Sequence, residues 1–502
     1  MQRYDIIIIG TGAGGGTLAY ALASTGKNIL LIERGEYIPK EKANWNPKQV
    51  YIEALYRTEE RWYDDKQNQF QPTQYHRVGG STKVYGAALL RMREEDFREM
   101  QHYEGVSPAW CLDYQDFEPY YTEAEKIYKV HGVRGEDPTE PVTNCEYPFP
   151  PIPHTSRIQQ VADKLSKQGL YPFSLPMGID RDSKNPLNGS CIRCDTCDGY
   201  PCLLGAKADA QTCCVEPALK YPNVTLVTGA KCEKLITDAS GKTVTEVETV
   251  IAGETVTFSA DIVVVSCGAV NSAALLLNSA NDKHPNGLAN SSGLVGRNLM
   301  KHNTTKLYAI STTPNNSVFQ KTLAVNDFYL GSPDDEYPLG HVHLMGEHKW
   351  EMMRPDFPKF IPNQLLKIMA QHSVDWWAQS EDLPELDNRV TVANGKIQVK
   401  YRPNNLEAHR RLKKKFKEYL QRAGFPLILE VSMPLKVVNH QLGTCRFGTD
   451  ATTSVLDVNC RAHDVDNLYV VDASFFPSST AINPTLTIAA NALRVADHLQ
   501  RM

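Results

Sequence analysis

Two groups of residues in this chain have types and spacing that could do chemistry. Gly10, Gly12 and Gly15 give G-x-G-x-x-G directly after an apolar run, and Glu33 stands downstream. In that pattern the first glycine permits a tight turn, the second lets the backbone approach a pyrophosphate, and the third lets a helix lie close to a strand. An acid about 20 residues on can accept hydrogen bonds from a ribose hydroxyl. Cys191, Cys194, Cys197 and Cys202 form the second group, spaced C-x2-C-x2-C-x4-C, with Cys213 and Cys214 close behind. Thiols at this density suit an iron–sulfur cluster or zinc. Disulfides or free structural thiols fit the same residues, and the pattern leaves the three readings open.

The elements around the glycines are clear. Residues 6–9 are all β-branched and apolar, which predicts a strand buried on both faces of a parallel sheet. A helical pattern covers 17–23, Gly26 stops it, and 29–32 is a second buried strand ending at Glu33. The helix N-terminus brings free N–H donors and a positive dipole end to phosphates. Strand, glycines, helix, strand and acid in this order predict dinucleotide binding, without choosing between FAD and NAD.

Residues 36–75 lack regular periodicity, and so long an irregular stretch suggests a functional cover. Helices are predicted at 94–130, 157–170 and 405–423. A buried strand at 261–269 ends in glycine and leads into a helix at 272–278. Residues 306–400 read as an antiparallel sheet with one face available to ligand. A last strand and helix fall at 468–471 and 485–499. Nucleotide-type signatures thus open the chain, recur mid-chain and close it. The predicted fold class is α/β, with a Rossmann-type domain assembled from 1–100, 192–305 and 434–502. Residues 101–191 and 306–433 are expected to build an α+β second domain that carries the antiparallel sheet.

The 502 residues carry a formal net charge of −5, so nucleic acid is not an expected partner. The basic run at 410–417 is broken by Leu412 and Phe416 at helical spacing and reads as the solvated face of an amphipathic helix. No apolar stretch is long enough to span a membrane, and the expected location is cytoplasmic. Asn188-Gly-Ser and Asn303-Thr-Thr read as chance matches to the glycosylation triplet.

The chain resembles the glucose-methanol-choline (GMC) family of flavin oxidoreductases over nearly its whole length. The N-terminal glycines match that family's FAD site, and Gly79-Gly-Ser-Thr-Lys-Val-Tyr-Gly resembles its second glycine loop. Ala230-Lys-Cys232 resembles the end of a strand that meets the adenine, and Gly268-Ala-Val-Asn-Ser-Ala is similar to the second signature. The strongest match is C-terminal: His440-Gln-Leu-Gly-Thr-Cys-Arg-Phe-Gly, then Asn467-Leu-Tyr-Val-Val-Asp-Ala-Ser, then Asn483-Pro-Thr. It looks most like the sugar and polyol dehydrogenase branch.

The resemblance implies FAD held by Gly10, Gly12, Gly14, Gly15, Glu33 and Arg34 at one end. It implies Gly79, Gly80, Ser81, Tyr85 and Gly86 along the flavin, with Cys232 at the adenine. Gly268, Asp472, Ala473, Asn483, Pro484 and Thr485 complete the implied cofactor set. Tyr85 stands where several oxidases carry Asn, and the glycine loop lacks the His that some relatives use for covalent attachment, so non-covalent FAD is expected. Three cysteines in some sugar dehydrogenases of the family hold an iron–sulfur cluster, which extends that reading to the segment here.

The implied reaction oxidises a hydroxyl of a sugar, glycoside or polyol to a carbonyl. His440 would take the hydroxyl proton, flavin N5 the hydride, and Asn483 would hydrogen-bond the developing alkoxide. A dehydrogenase using an external acceptor is favoured over an oxidase using oxygen. The alternatives are an oxidase of aliphatic or aromatic alcohols, and a flavin electron carrier without alcohol chemistry. A small subunit or a homo-oligomer is compatible with the resemblance. Trp376 and Trp377 are adjacent on a strand, so at most one is expected to face substrate.

Overall fold

Ile6, Ile7 and Ile8 are fully buried because their strand, Gln2–Ile9, runs between two parallel neighbours, Ile29–Ile32 and Glu254–Val265. The computed structural model describes residues 2–182 and 189–502, and Asn188 lies outside them. The sheet built on this strand has seven members. Val224–Val227 and Leu468–Val470 add parallel pairings. Ala230–Thr237 and Val244–Ile251 extend it as an antiparallel hairpin against Glu254–Val265. Residues from the start, the middle and the end of the chain thus share one hydrogen-bonded layer. Helix Ala13–Leu22 packs against the C-terminal helix Thr485–Gln500, which also carries Tyr114–Ile127.

The second sheet has six strands, all antiparallel, in the order Leu427–Ser432, Asn303–Ile310, Ser373–Ser380, His341–Leu344, Leu323–Val325, Phe173–Ser174. Period-two alternation sorts its side chains. Leu307, Trp376 and Ala378 face helix Leu406–Arg422, where Trp376 meets Phe416 with ring centroids 4.9 Å apart. Lys306 and Trp377 pair across the ladder, as do Thr304 and Gln379, and all four line a cavity on the opposite face. Of the two tryptophans, only Trp377 reaches that cavity. Asn303 is buried and its amide donates to the Asn404 carbonyl at 2.7 Å.

Leu412, Phe416 and Leu420 are fully buried on the helix that carries the basic run. Each contributes roughly 1.5–3 kcal/mol by burial. The basic side chains lie at the surface, where Arg410 and Arg411 pair with Glu407, and Lys413 and Lys417 pair with Glu430. Exposed pairs of this kind add about 0.2–1 kcal/mol each, so the apolar stripe holds the helix.

Several expectations change. The single helix over 94–130 is a 3-10 turn at Glu95–Phe97, a short hairpin of Met100–His102 and Gly105–Ser107, and then helix Tyr114–Ile127. Gly105, at φ 153°, and Pro108 interrupt the stretch read as continuous. Residues 306–400 also hold the helix Asn363–His372. Cys232 does not end a strand; left-handed Gly229 turns the chain, and Cys232 lies near the start of Ala230–Thr237. Phe416→Ala is expected to cost about 3–5 kcal/mol, while Arg410→Ala stays within about 0.5 kcal/mol. Urea denaturation followed by fluorescence measures both.

Candidate active site

The N-terminal glycines divide into two jobs. A Cβ at Gly10 would lie 2.2 Å from the Ser266 carbonyl oxygen, at Gly14 1.8 Å from that of Val471, and at Gly15 2.1 Å from that of Gly10. These three are required by packing. A Cβ at Gly12 would meet nothing within 4 Å, and Gly12 faces the cavity. Thr11, which the sequence pattern passes over, joins this loop to its surroundings. Its Oγ1 donates to Glu33 Oε2 at 2.6 Å, its N–H donates to the same oxygen at 3.1 Å, and Gly79 N–H donates to Thr11 Oγ1 at 3.1 Å. Glu33 also accepts from Gly35 N–H at 3.1 Å. Burial raises the Glu33 carboxyl above the usual range, and these hydrogen bonds oppose the shift.

One cavity of about 970 Å³ runs from this loop to the second sheet. Gly10, Gly12, Gly14, Glu33 and Arg34 line one end, where Arg34 leans 3.5 Å from Glu60 of the irregular cover segment. Gly80, Ser81, Tyr85 and Gly86 follow along the wall; Gly15 and Gly79 stand behind it. Gly79 and Gly80 are left-handed, and the 3-10 turn Gly80–Lys83 is tied down by the buried pair Lys83–Asp209 at 2.8 Å. Tyr85 donates its hydroxyl to the Ala208 carbonyl. Cys232 and Gly268 line the same cavity, with Gly268 preceding helix Ala269–Asn278. Asp472 accepts from Gly268 N–H at 2.9 Å and from Ser474 N–H at 2.8 Å, which fixes the turn into Ala473. Tyr51 and Arg57 of the cover segment, and His76 just after it, also reach the cavity, none of them singled out by the sequence.

His440, Asn483, Pro484 and Thr485 close the far end. Helix Thr485–Gln500 starts there, directing its N-terminus at the cavity. The carboxamide oxygen of Asn483 is buried with no hydrogen-bond partner. His440 Nδ1 lies 3.0 Å from His302 Nδ1, and His302 Nε2 lies 2.9 Å from the Ser479 carbonyl oxygen. Burial, then the neighbouring His302, His343 and Lys321, hold the His440 imidazole well below its ordinary value. That direction favours the neutral imidazole. The loop carrying Asn483 is anchored by Gln379 Nε2–H donating to Ala481 O at 2.9 Å and by Ala481 N–H donating to Tyr329 Oη at 3.2 Å.

Cys191, Cys194, Cys197 and Cys202 are not gathered as metal ligands. All four are free thiols, and among the described residues no group of three or more His, Cys, Asp or Glu side chains could hold a metal. Burial pushes the Cys197 thiol up to about 12. Charge and backbone hold the segment instead. Lys207 donates to the Cys197 and Tyr200 carbonyls at 2.6 and 2.7 Å, Lys321 pairs with Asp198 at 2.9 Å, and Lys349 pairs with Asp195. Nothing among the described residues supports the iron–sulfur expectation; the segment is a clamped wall, and its Asp198 reaches the cavity.

Models of the GMC oxidoreductase family match residues 4–304 and 339–492. The chain belongs to the GMC oxidoreductase family. It is 31% identical to 6'''-hydroxyparomomycin C oxidase of Streptomyces lividus, covering 99% of this chain and 92% of that one. It is 27% identical to 2-methyl-1,2-propanediol dehydrogenase of Mycolicibacterium austroafricanum, covering 100% and 96%. The crystal structure of pyridoxine 4-oxidase from Mesorbium loti superposes with a TM-score of 0.70 at 19% identity, covering 99% of each chain, and shares the fold.

As a GMC protein the chain is an FAD-dependent oxidoreductase acting on CH–OH groups, and the residues present fit FAD. Gly12 leaves open space beside a helix N-terminus, and the unpartnered Asn483 oxygen lies at the other end of the same cavity. Gly12→Val is expected to fold with a melting temperature near that of the flavin-stripped parent but to purify without flavin absorbance. Gly14→Ala should fail to fold, because its Cβ meets backbone. Soluble yield, melting and flavin absorbance separate the two.

Proposed function

We propose that this enzyme oxidises a hydroxyl of a neutral sugar, glycoside or polyol to a carbonyl, with His440 as the base and Asn483 beside it. The observation that carries this reading is the neutral imidazole of His440 sharing one cavity end with the unpartnered carboxamide of Asn483. His440 takes the hydroxyl proton at Nε2, and Asn483 donates its Nδ2–H to the substrate oxygen as charge grows on it. Bound FAD supplies the hydride acceptor. FAD is held non-covalently by the glycine loops.

The relative named for a paromomycin derivative and the relative named for a propanediol both act on hydroxylated molecules, which supports the substrate class. The cavity wall on the second sheet narrows it. Trp377 offers an aromatic face, and Gln379 and Thr304 offer polar groups. Both carboxylates on this wall are already paired, Asp356 with Lys306 at 2.7 Å and Asp198 with Lys321 at 2.9 Å. Lys301 adds an ammonium group 5.4 Å over the Tyr401 ring. A cationic aminoglycoside would therefore lack free counter-charges here, and a neutral sugar or polyol is favoured.

The test is anaerobic mixing of the purified protein with sugars, polyols and aminoglycosides, read as bleaching of the flavin. Neutral sugars or polyols should bleach it. Bleaching only by aminoglycosides would overturn the substrate class. His440→Ala is expected to slow bleaching about 100- to 10,000-fold, with Asn483→Ala slowing it about 100-fold; bleaching that survives both changes would end the assignment. A base with a lowered pKa stays unprotonated as pH falls, so the acidic limb of kcat/KM should lie below about 6.5. Acid precipitation should release FAD into the supernatant. Under air, peroxide equal to product identifies oxygen as acceptor, and dye-dependent turnover without peroxide identifies a dehydrogenase.

A further inference from the structure

His302 is a fully buried histidine that neither motif includes. It sits in the left-handed region at φ 64°, an uncommon backbone state for a residue with a side chain, although His and Asn tolerate it better than most. The site needs it there. Asp382 accepts from the N–H groups of Lys301 and His302 at 2.8 and 2.9 Å and from the Tyr401 hydroxyl at 2.7 Å. That carboxylate clamps the turn and presents the imidazole to His440.

The two contacts of His302 decide where the protons are. A carbonyl oxygen only accepts, so His302 Nε2 carries the hydrogen that faces Ser479 O at 2.9 Å. Burial holds the His302 imidazole below its ordinary value, hence neutral, and its Nδ1 is then a bare acceptor. The 3.0 Å contact between the two Nδ1 atoms therefore requires that His440 Nδ1 be the donor. His440, also neutral, is left with a bare Nε2.

We infer that His302 is a positioning residue that locks His440 in the Nδ1–H tautomer, so that its Nε2 lone pair is the one offered to the substrate hydroxyl. The Ser479 carbonyl fixes His302, His302 fixes His440, and Ser479 lies four positions before Asn483. One hydrogen-bond chain thus sets the proton acceptor and runs into the loop of its carboxamide partner. The inference rests on the proposed role of His440. The other charged or titratable groups facing the pair are His341, His343, Lys301, Lys321, Glu381 and Asp382.

His302→Phe removes the acceptor while filling the space, and His302→Asn tolerates the left-handed backbone and can place its Oδ1 where Nδ1 stood. Flavin content and melting are recorded for both. In the Phe variant kcat should fall about 10- to 100-fold with KM changed less, because the base spends time in the wrong tautomer. Its acidic limb should move to higher pH, because a neighbour that holds the His440 imidazole down is gone. The Asn variant should recover to within about fivefold of the parent. Nitrogen-15 NMR of histidine-labelled protein, assigned by loss of the signal in His440→Ala, reads the pair without turnover: protonated Nδ1 and bare Nε2 in the parent, averaged values in His302→Phe. A Phe variant with the parent's kcat, acidic limb and nitrogen shifts would overturn the inference. If His440→Ala still bleaches the flavin, the proposed base has failed, and the nitrogen shifts still decide whether His302 sets the tautomer.

Discussion

The close approach of three backbones around residue 14 is the constraint on which the rest of the structure depends. The Val471 carbonyl oxygen occupies the space where a side chain at Gly14 would begin, 1.8 Å from its Cβ, and Gly10 meets the Ser266 carbonyl in the same way. Segments separated by more than two hundred positions are thereby pressed together at the ends of adjacent strands. Parallel pairing of Val263–Val265 with both Ile7–Ile9 and Leu468–Val470 holds them in register. Everything that lines the nucleotide end of the cavity follows from that meeting. Asp472 reaches Gly268 because Val471 is seated on helix Ala13–Leu22, and the helix opening at Thr485 aims at the cavity because its body packs on the same helix.

The second sheet solves a different problem with the same economy of pattern. Period-two alternation gives Trp376 to the core and Trp377 to the cavity within one strand. The face turned to Leu406–Arg422 is apolar. The face turned to the cavity carries lysine, glutamine, threonine and histidine, polar groups that a buried sheet tolerates only when partners are near. Some of those partners come from far away in the chain. Asp198 belongs to the cysteine segment, and Asp356 follows a short helix. The wall is a set of imported counter-charges, and for this reason it could not be read from the strands alone.

What was legible in the sequence was local or strongly periodic. The glycine loop, the strands at 6–9 and 29–32, and the amphipathic helix ending near 422 declare themselves within a few turns of chain. The family resemblance located His440 and Asn483, and the structure brings both to one cavity end. The cysteine spacing was legible as a cluster but not as a wall, because two of the lysines that clamp it, Lys321 and Lys349, lie far along the chain and outside any motif. His302 was illegible for a similar reason. Its contact with His440 spans 138 positions, and a lone histidine after a lysine announces nothing. The false helix over 94–130 shows the reverse error, a stretch read as continuous while Gly105 and Pro108 break the backbone.

Burial pushes acids and bases in this molecule toward the same end, the neutral form, and hydrogen-bond supply sets how strongly each group resists. Desolvation penalises the charged form of every group. Glu33 and Asp472 answer it with N–H and hydroxyl donors from Thr11, Gly35, Ser272 and Ser474, which stabilise a carboxylate where it stands. The His440 imidazole receives no such support as a cation, because His302, His343, Lys321 and Lys301 reinforce its desolvation. At His302 the Asp382 carboxylate and the Ser479 carbonyl oppose burial, and burial still wins. Three neutral rings in one water-poor corner keep their lone pairs. A single carboxylate placed against His440 would reverse this, raising its pKa and holding a proton on the atom that must accept one. Asp382 comes near that role and is kept from it by geometry. Its oxygens are taken by the backbone of Lys301 and His302 and by Tyr401, one residue short of the base. The acid shapes the turn, and a neutral ring is what touches His440.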